Sequence, residues 1–310
     1  MKLAKSLTNC YKKLSNCGKI LVFIALLLIV VVFFRRVMPP KEGFTQSKSF
    51  EFKQGEEVYD SFYADIYDYL VYNVTKNEYE VGSILNSSNP TEKSVIVDIG
   101  CGTGHHVNAL QNRHLDAVGV DISPAMIEKA REHYPNLRDK FMVADGLDGY
   151  LFAANSVTHI LCMYFTIYYF KDKMRFFTNC MNWLMPGGYL VVHLVDRYKF
   201  DPILPPGNPL YIVSPQRYAK DRITNTKVTF NDFVYNADFK LEESNDLAMF
   251  DEKFKFHDGR VRKQEQKMYM EDLPTIVAMA QDAGFVLHAK IDMVKCAYEY
   301  QYLYVFTKPY

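Results

Sequence analysis

Three glycines at alternate positions, Gly100, Gly102 and Gly104, follow Asp98 at the end of an apolar run, SVIVDI, and precede a helical stretch from about His105. Glycines so spaced let the backbone approach a ligand closely and adopt positive φ. A helix beginning just after them aims its free N–H groups at an anionic part of that ligand. Three ligand chemistries use such a loop: a dinucleotide, a nucleotide phosphate and an adenosyl sulfonium. The dinucleotide fingerprint G-x-G-x-x-G would need its third glycine where His105 stands. A phosphate loop would need Gly-Lys-Ser/Thr, which is absent. Two further acids end the next two apolar runs: Asp121 in GVDIS and Asp145, with Gly146, after FMVAD begins at Phe141. An ionised carboxylate there can accept from two vicinal hydroxyls or from an amino group.

In this order the segments resemble the class I, Rossmann-like, S-adenosylmethionine-dependent methyltransferases. Their first motif is an acid followed by x-G-x-G-x-G after the first strand, and residues 98–104 match it in full. The resemblance covers roughly residues 56–196 and 271–307. It implies that Asp98, Gly100, Cys101, Gly102 and Gly104 cradle S-adenosyl-L-methionine. It implies that Asp121, followed by Ile122, meets the ribose, that Met126 lies on the adenine, and that Asp145 and Gly146 meet the adenine amino group. LMPGG at 184–188 resembles the family's turn before strand 5. Met163 and Tyr164, with Tyr168, follow the fourth strand, where the resemblance places cofactor- and substrate-facing side chains. The Asn/Asp-Pro-Pro-aromatic signature of many nucleic-acid and glutamine methylators is missing, which argues against DNA or exocyclic-amine acceptors.

Residues 56–72 carry aromatics at helical spacing, and Tyr59, Tyr63 and Tyr67 share one face. The segment resembles the N-terminal helix that covers the cofactor in small-molecule members, so Tyr63 is expected at the cofactor and Tyr59 and Tyr67 at the substrate. A ring there can face a sulfonium. Methyl transfer needs mainly alignment and desolvation, with a base for a protonated amine or an alcohol. His193, in VVHLVD, is the candidate base. His105 and His106 are adjacent and point about 100° apart on a helix, so they cannot chelate one ion together, and no metal is assigned. The expected acceptor is an N or O atom of a small molecule or of a substrate presented at a membrane, with no nucleic-acid partner. Two other classes fit less well: a nicotinamide oxidoreductase, and a non-catalytic scaffold of the same fold.

Alternating strand and helix patterns from residue 94 imply a parallel sheet with helices on both faces. SPAMIEKAREHY reads as a helix with Ser123 as N-cap and Pro124 in first position. Residues 197–270 alternate polar and apolar like antiparallel strands, with Asp258-Gly259 as a hairpin turn. A helix ending at Gly284 and two strands, 285–294 and 298–307, close the chain. The expected fold is α/β: a Rossmann-like, seven-stranded, mostly parallel sheet with helices on both faces, an antiparallel β insertion and an N-terminal transmembrane helix. The expected divisions are a basic tail (1–19), a transmembrane anchor (20–38), a linker (39–55) and a methyltransferase domain (56–310). The insertion at 197–270 packs over the ligand edge of the sheet or forms a small lid.

Composition narrows the class. Lys plus Arg equals Asp plus Glu at 36 each, so bulk charge draws the chain to no polyanion. Its 22 Phe and 23 Tyr argue for a packed core and against disorder. Six cysteines without C-x-x-C spacing read as reduced thiols. The sequons at Asn73 and Asn86 are weak signals of a lumenal domain. Residues 20–34 are uninterrupted apolar residues between Lys19 and Arg35, read as an uncleaved single-pass anchor. Reduced thiols and a cytosolic cofactor place the catalytic domain on the cytosolic side in this reading.

Overall fold

In VIVDI, Val97 and Ile99 alternate with Ile96 and Asp98, so a strand here sends its side chains to two opposite faces. Both faces are covered. The computed structural model describes residues 49–207, 216 and 219–310, together with 15, 18–20, 22–25 and 27. Residues 49–310 form one compact unit. Its elements are β1 (Phe50–Gln54), α1 (Ser61–Val71), α2 (Val74–Ser88), β2 (Val95–Ile99), α3 (His105–Gln111), β3 (Asp116–Asp121), α4 (Pro124–His133), β4 (Phe141–Val143), β5 (Val157–Cys162), α5 (Thr166–Tyr169), α6 (Lys173–Trp183) and β6 (Leu184–Val195). Then come β7 (Asn225–Thr229), β8 (Phe233–Glu242), β9 (Leu247–Phe256), β10 (Val261–Tyr269), α7 (Leu273–Asp282), β11 (Val286–Asp292) and β12 (Gln301–Thr307).

Seven strands form one mixed sheet in the order β11-β12-β6-β5-β2-β3-β4. The five from β6 to β4 run parallel, while β12 pairs antiparallel with β6 and β11 antiparallel with β12. One face buries Val97, Ile99 and Leu190 against Phe176, Trp183 and Ile276 of α6 and α7. The other buries Ile96, Val191 and Val305 against Ile84, Val107 and Ile127 of α2, α3 and α4. Parallel β-α units put the C-terminal ends of β2, β3 and β4 on one rim, and that rim holds the glycine loop, Asp121 and Asp145.

The second sheet, β1-β10-β9-β8-β7, is antiparallel except for β1 on β10. Its inner side chains Phe233, Tyr235 and Phe254 pack with Val58, Tyr63, Leu70 and Met126. The ring of Phe62 on α1 meets Phe233, Phe254 and Phe256 at centroid distances of 6.2, 5.3 and 5.5 Å. The 197–270 segment therefore builds a β-roof seated on α1.

Several expectations change. The linker over 39–55 ends in a strand, because Phe50–Gln54 pairs with Val261–Glu265; residues 39–48 lie outside the described residues. Helix α2 was not read from the sequence, since its polar and apolar residues show little net apolar character. The 184–188 turn lies inside β6: Leu184 pairs with Val157 and Tyr189 with His159, so the glycines bulge out of the ladder. The transmembrane anchor at 20–38, the membrane partner and the single-pass localisation are corrected. Among the described residues no helix is long and apolar enough to cross a membrane. Physically, the 15 apolar residues at 20–34 reach roughly 22 Å as a helix, short of a bilayer core of about 30 Å. The described helical residues there are 20, 22–25 and 27, continuing from 18 and 19, and the rest of 20–38 lies outside the described residues.

Candidate active site

A cleft of about 750 Å³ opens between the rim of the large sheet and the β-roof. Its floor is the glycine loop. Gly100, Gly102 and Gly104 all have positive φ, at 74°, 53° and 86°. The three do different things. A Cβ on Gly100 would collide with Thr166, and one on Gly104 would sit 2.7 Å from the Phe141 ring. A Cβ on Gly102 would meet only Tyr67, at 3.7 Å. Gly104 thus closes the packing of α3 on the sheet, Gly100 lines the cleft but gives its side-chain space to Thr166, and Gly102 leaves its space to the cleft.

Asp121 ends β3 beside this loop. Its Oδ2 accepts from the Gly102 N–H and its Oδ1 from the Ser123 N–H, both at 2.9 Å. Burial raises its pKa, and these two backbone donors oppose that rise. Ser123 then caps α4 by accepting from the Met126 N–H. Ile122, Met126, Asp145 and Gly146 line the next stretch of the cleft. Asp145 is shaped by a short turn in which its Oδ1 accepts from the Leu147 N–H at 2.8 Å.

The ceiling is built by α1. Tyr59, Tyr63 and Tyr67 line the cleft with Tyr164 and Tyr169. Rings of Tyr59 and Tyr63, and of Tyr63 and Tyr67, meet edge-on at 5.6 and 5.8 Å. Burial, first of all, raises the pKa of each of these five tyrosines, so none is a phenolate near neutral pH. Helix α1 is fastened to the glycine loop by Asp68. One of its oxygens accepts from the Thr103 hydroxyl at 2.7 Å, and the other lies 2.8 Å from His105 Nε2. His105 in turn meets Tyr134 through Nδ1 at 2.6 Å. These contacts lower the pKa of Asp68 against its partial burial. His105 and His106 do go separate ways, the second to Glu80 at 3.0 Å. Asp68, His105 and His133 nevertheless hold three possible ligand atoms within 4.8 Å of one another, in a group the sequence did not indicate.

Six expected site residues stand elsewhere. His193 is fully buried, with Nδ1 2.6 Å from the Tyr164 carbonyl oxygen. A carbonyl only accepts, so Nδ1 carries the proton and Nε2 is left as the bare acceptor nitrogen. Burial and the nearby Lys76 hold its pKa down at about 4, and it stands behind the cleft-lining Tyr164 and Gln301 instead of lining the cleft itself. Tyr168 points into the core and accepts from the Val195 N–H, because one residue along a helical turn rotates the side chain by about 100° from the direction that Tyr169 takes. Met163 and Cys101 are packed in the core beside Val107 and Leu161. Gly104 faces Phe141, as above. Asp98 is buried beneath the loop with both oxygens unpartnered, and burial pushes its pKa up to about 7.

The roof adds residues that sequence reasoning missed. Gln266 of β10 lines the cleft, and its Oε1 accepts from the hydroxyls of Tyr59, at 2.9 Å, and Tyr169. Behind it lies Glu252, which accepts from Tyr63, Tyr235, Gln264 and Gln266. Alternation in KMYM-type strands told only which face was buried; a buried Glu and two buried Gln at period two on β9 and β10 were the available signal.

Residues 96–188 match the family model described as a methyltransferase domain. The malonyl-[acyl-carrier protein] O-methyltransferase of Hahella chejuensis is 32% identical over 115 residues, 36% of this chain and 40% of its own length. The dTDP-4-amino-2,3,4,6-tetradeoxy-D-glucose N,N-dimethyltransferase of Saccharopolyspora spinosa is 28% identical over 149 residues, 46% of this chain and 57% of its own. The chain thus spans about half the length of these curated relatives. A solved S-adenosylmethionine-dependent methyltransferase from Clostridium acetobutylicum superposes with a TM-score of 0.61 at 16% identity, over 80% of this chain and 98% of that one. The large sheet with its flanking helices has the Rossmann-like fold of that methyltransferase, and residues 96–188 are similar in sequence to a methyltransferase domain.

Proposed function

We propose that this chain is an S-adenosylmethionine-dependent methyltransferase that acts on a small molecule. One observation carries the reading: the glycine loop, Asp121 and Asp145, far apart in sequence, line a single cleft under a tyrosine ceiling. The donor set suits an adenosyl cofactor. Asp121 keeps lone pairs for vicinal hydroxyls after accepting from Gly102 and Ser123. Asp145 and Gly146 suit the adenine amino edge, Ile122 and Met126 its faces, and the open side of Gly102 the methionyl end. When bound, the cofactor supplies an activated methyl group on a sulfonium. The chain's own residues bind, orient and exclude water. Tyr63 and Tyr67 turn π surface and oxygen toward that positive centre. Tyr59 and Tyr164 stand on the acceptor side.

The relatives named above are an O-methyltransferase and an N,N-dimethyltransferase, so N and O acceptors are both in range. Calorimetric titration of the full chain with S-adenosylmethionine, followed by labelled-methyl transfer into acceptor mixtures, tests the reading. Binding that is sharply weakened in Asp121→Ala supports it. Binding of NADH in place of the methyl donor would replace it with oxidoreductase chemistry.

A further inference from the structure

The hydrogen bonds above the cleft share one direction. Glu252 is buried and forms no ion pair among the described residues. Four donors reach it: the Tyr63 hydroxyl, 3.1 Å from both oxygens, the Tyr235 hydroxyl on Oε1 at 2.6 Å, and Gln264 and Gln266 Nε2 on Oε2, both at 2.6 Å. Four donors fill the acceptor capacity of a carboxylate and leave no place for a proton of its own. The Gln264 amide is oriented independently, because its Oε1 accepts from Arg262 Nε at 2.9 Å. Gln266 spends Nε2 on Glu252, so its Oε1 faces the cleft side and receives the protons of Tyr59 and Tyr169. The hydroxyl hydrogens of Tyr59 and Tyr169 thus point to Gln266, and that of Tyr63 to Glu252, away from the cleft. What Tyr59 and Tyr169 have left to offer a ligand is oxygen lone pairs.

The remaining lining agrees. Among the described residues the cleft has five acids, Glu56, Asp121, Asp145, Asp201 and Glu265, against one cation, Lys267, and no arginine. A carboxylate or phosphate acceptor is ordinarily held by an arginine fork or by N–H donors. An amine brings N–H donors for the oxygens of Tyr59 and Tyr169, and its positive product suits the π faces and acids of the lining.

We infer that the methyl acceptor is an amine on a largely apolar small molecule, held by its N–H groups on the oxygens of Tyr59 and Tyr169, and that Glu252 is a positioning residue that fixes those oxygens as acceptors. The inference rests on the methyltransferase reading and narrows it. The amine reacts in its neutral form. Its lone pair forms the new N–C bond as the S–C bond breaks, and that bonding pair stays on sulfur, which becomes a neutral thioether. The nitrogen, now cationic, gives one proton to water at the cleft mouth.

Three probes of one shape separate the possibilities: phenethylamine, 2-phenylethanol and 3-phenylpropionate, titrated by calorimetry into the full chain saturated with S-adenosylhomocysteine. Phenethylamine is expected to bind at least about tenfold more tightly than phenylpropionate. In Glu252→Gln the new amide brings donors of its own. Gln266 must then turn, the Tyr59 and Tyr169 protons swing toward the cleft, and the preference for the amine shrinks or reverses. Tyr59→Phe with Tyr169→Phe removes the oxygens and abolishes the preference without disturbing Glu252. Equal binding of the three probes, no binding of any, or an unchanged preference in folded Glu252→Gln overturns the inference. Binding of S-adenosylmethionine, measured without acceptor, shows separately whether the underlying reading stands.

Discussion

Asp98 carries two carboxylate oxygens into a space that offers a donor to neither. It shares a strand face with Ile96, toward Glu80 and His106, so burial dominates and its pKa rises to about 7. The consequence for stability has a definite sign. Between its unfolded value of 3.8 and about 7 the folded state holds the proton and the unfolded state does not. The stabilisation is complete below the lower value and is lost as pH rises through the upper one, a swing of up to about 4 kcal/mol. Asp98→Asn is therefore expected to be more stable than the parent at pH 8 and to show no advantage at pH 4, as read by denaturant titration at both. Equal stability at pH 8 would mean the carboxylate has a partner. Asp121 is the opposite kind of acid, fixed by backbone donors and turned to the cleft. Asp121→Ala is expected to weaken S-adenosylmethionine binding by about 2–4 kcal/mol while the thermal transition changes little.

Two glycines in one loop separate packing from binding at the scale of the element. Gly104→Ala adds a methyl 2.7 Å from Phe141 and 3.1 Å from Ala130 at a φ of 86°. That combination of strain and overpacking is expected to cost about 2–4 kcal/mol in denaturant titration. Gly102→Ala enters open space at a φ of 53°, so the folding cost is the left-handed conformation alone, about 1 kcal/mol, and the loss falls on cofactor affinity. A result in which both variants lose stability equally would refute this division. Helix α1 has a comparable double task. Phe62 faces the roof, Tyr67 faces the cleft, and Asp68 grips Thr103 and His105. Asp68→Ala keeps the helix but frees it from the loop, and faster release of S-adenosylhomocysteine in stopped-flow is the expected outcome.

The two sheets of the 49–310 unit have no separate cores in the region of the site. Tyr63 and Leu70 of α1 and Met126 of α4 are buried with Phe233, Tyr235 and Phe254 of the roof. Roof and large sheet are expected to melt together, in one calorimetric transition, and a cofactor at about 100 times its Kd should stabilise that transition by about 2.7 kcal/mol. Two transitions, only one of which responds to the cofactor, would show the roof to be an independent lid.

The order of strands and helices, the glycine loop and the strand-end acids were legible because their causes are local. Period-two and period-3.6 burial, the Ser123 cap with Pro124, and positive φ at glycine are all encoded within a few residues of where they act. Tertiary structure alone decided which side chains meet the cleft. Tyr168 and Tyr169 are neighbours of the same type, yet a helical turn sends one into the core and the other to Gln266. His193 sits on the expected strand but is fully buried behind Tyr164. Gln266 lies 207 residues from the Tyr59 it orients. Burial and hydrogen-bond direction arise from the packing of distant segments against one another, and no local spacing records them.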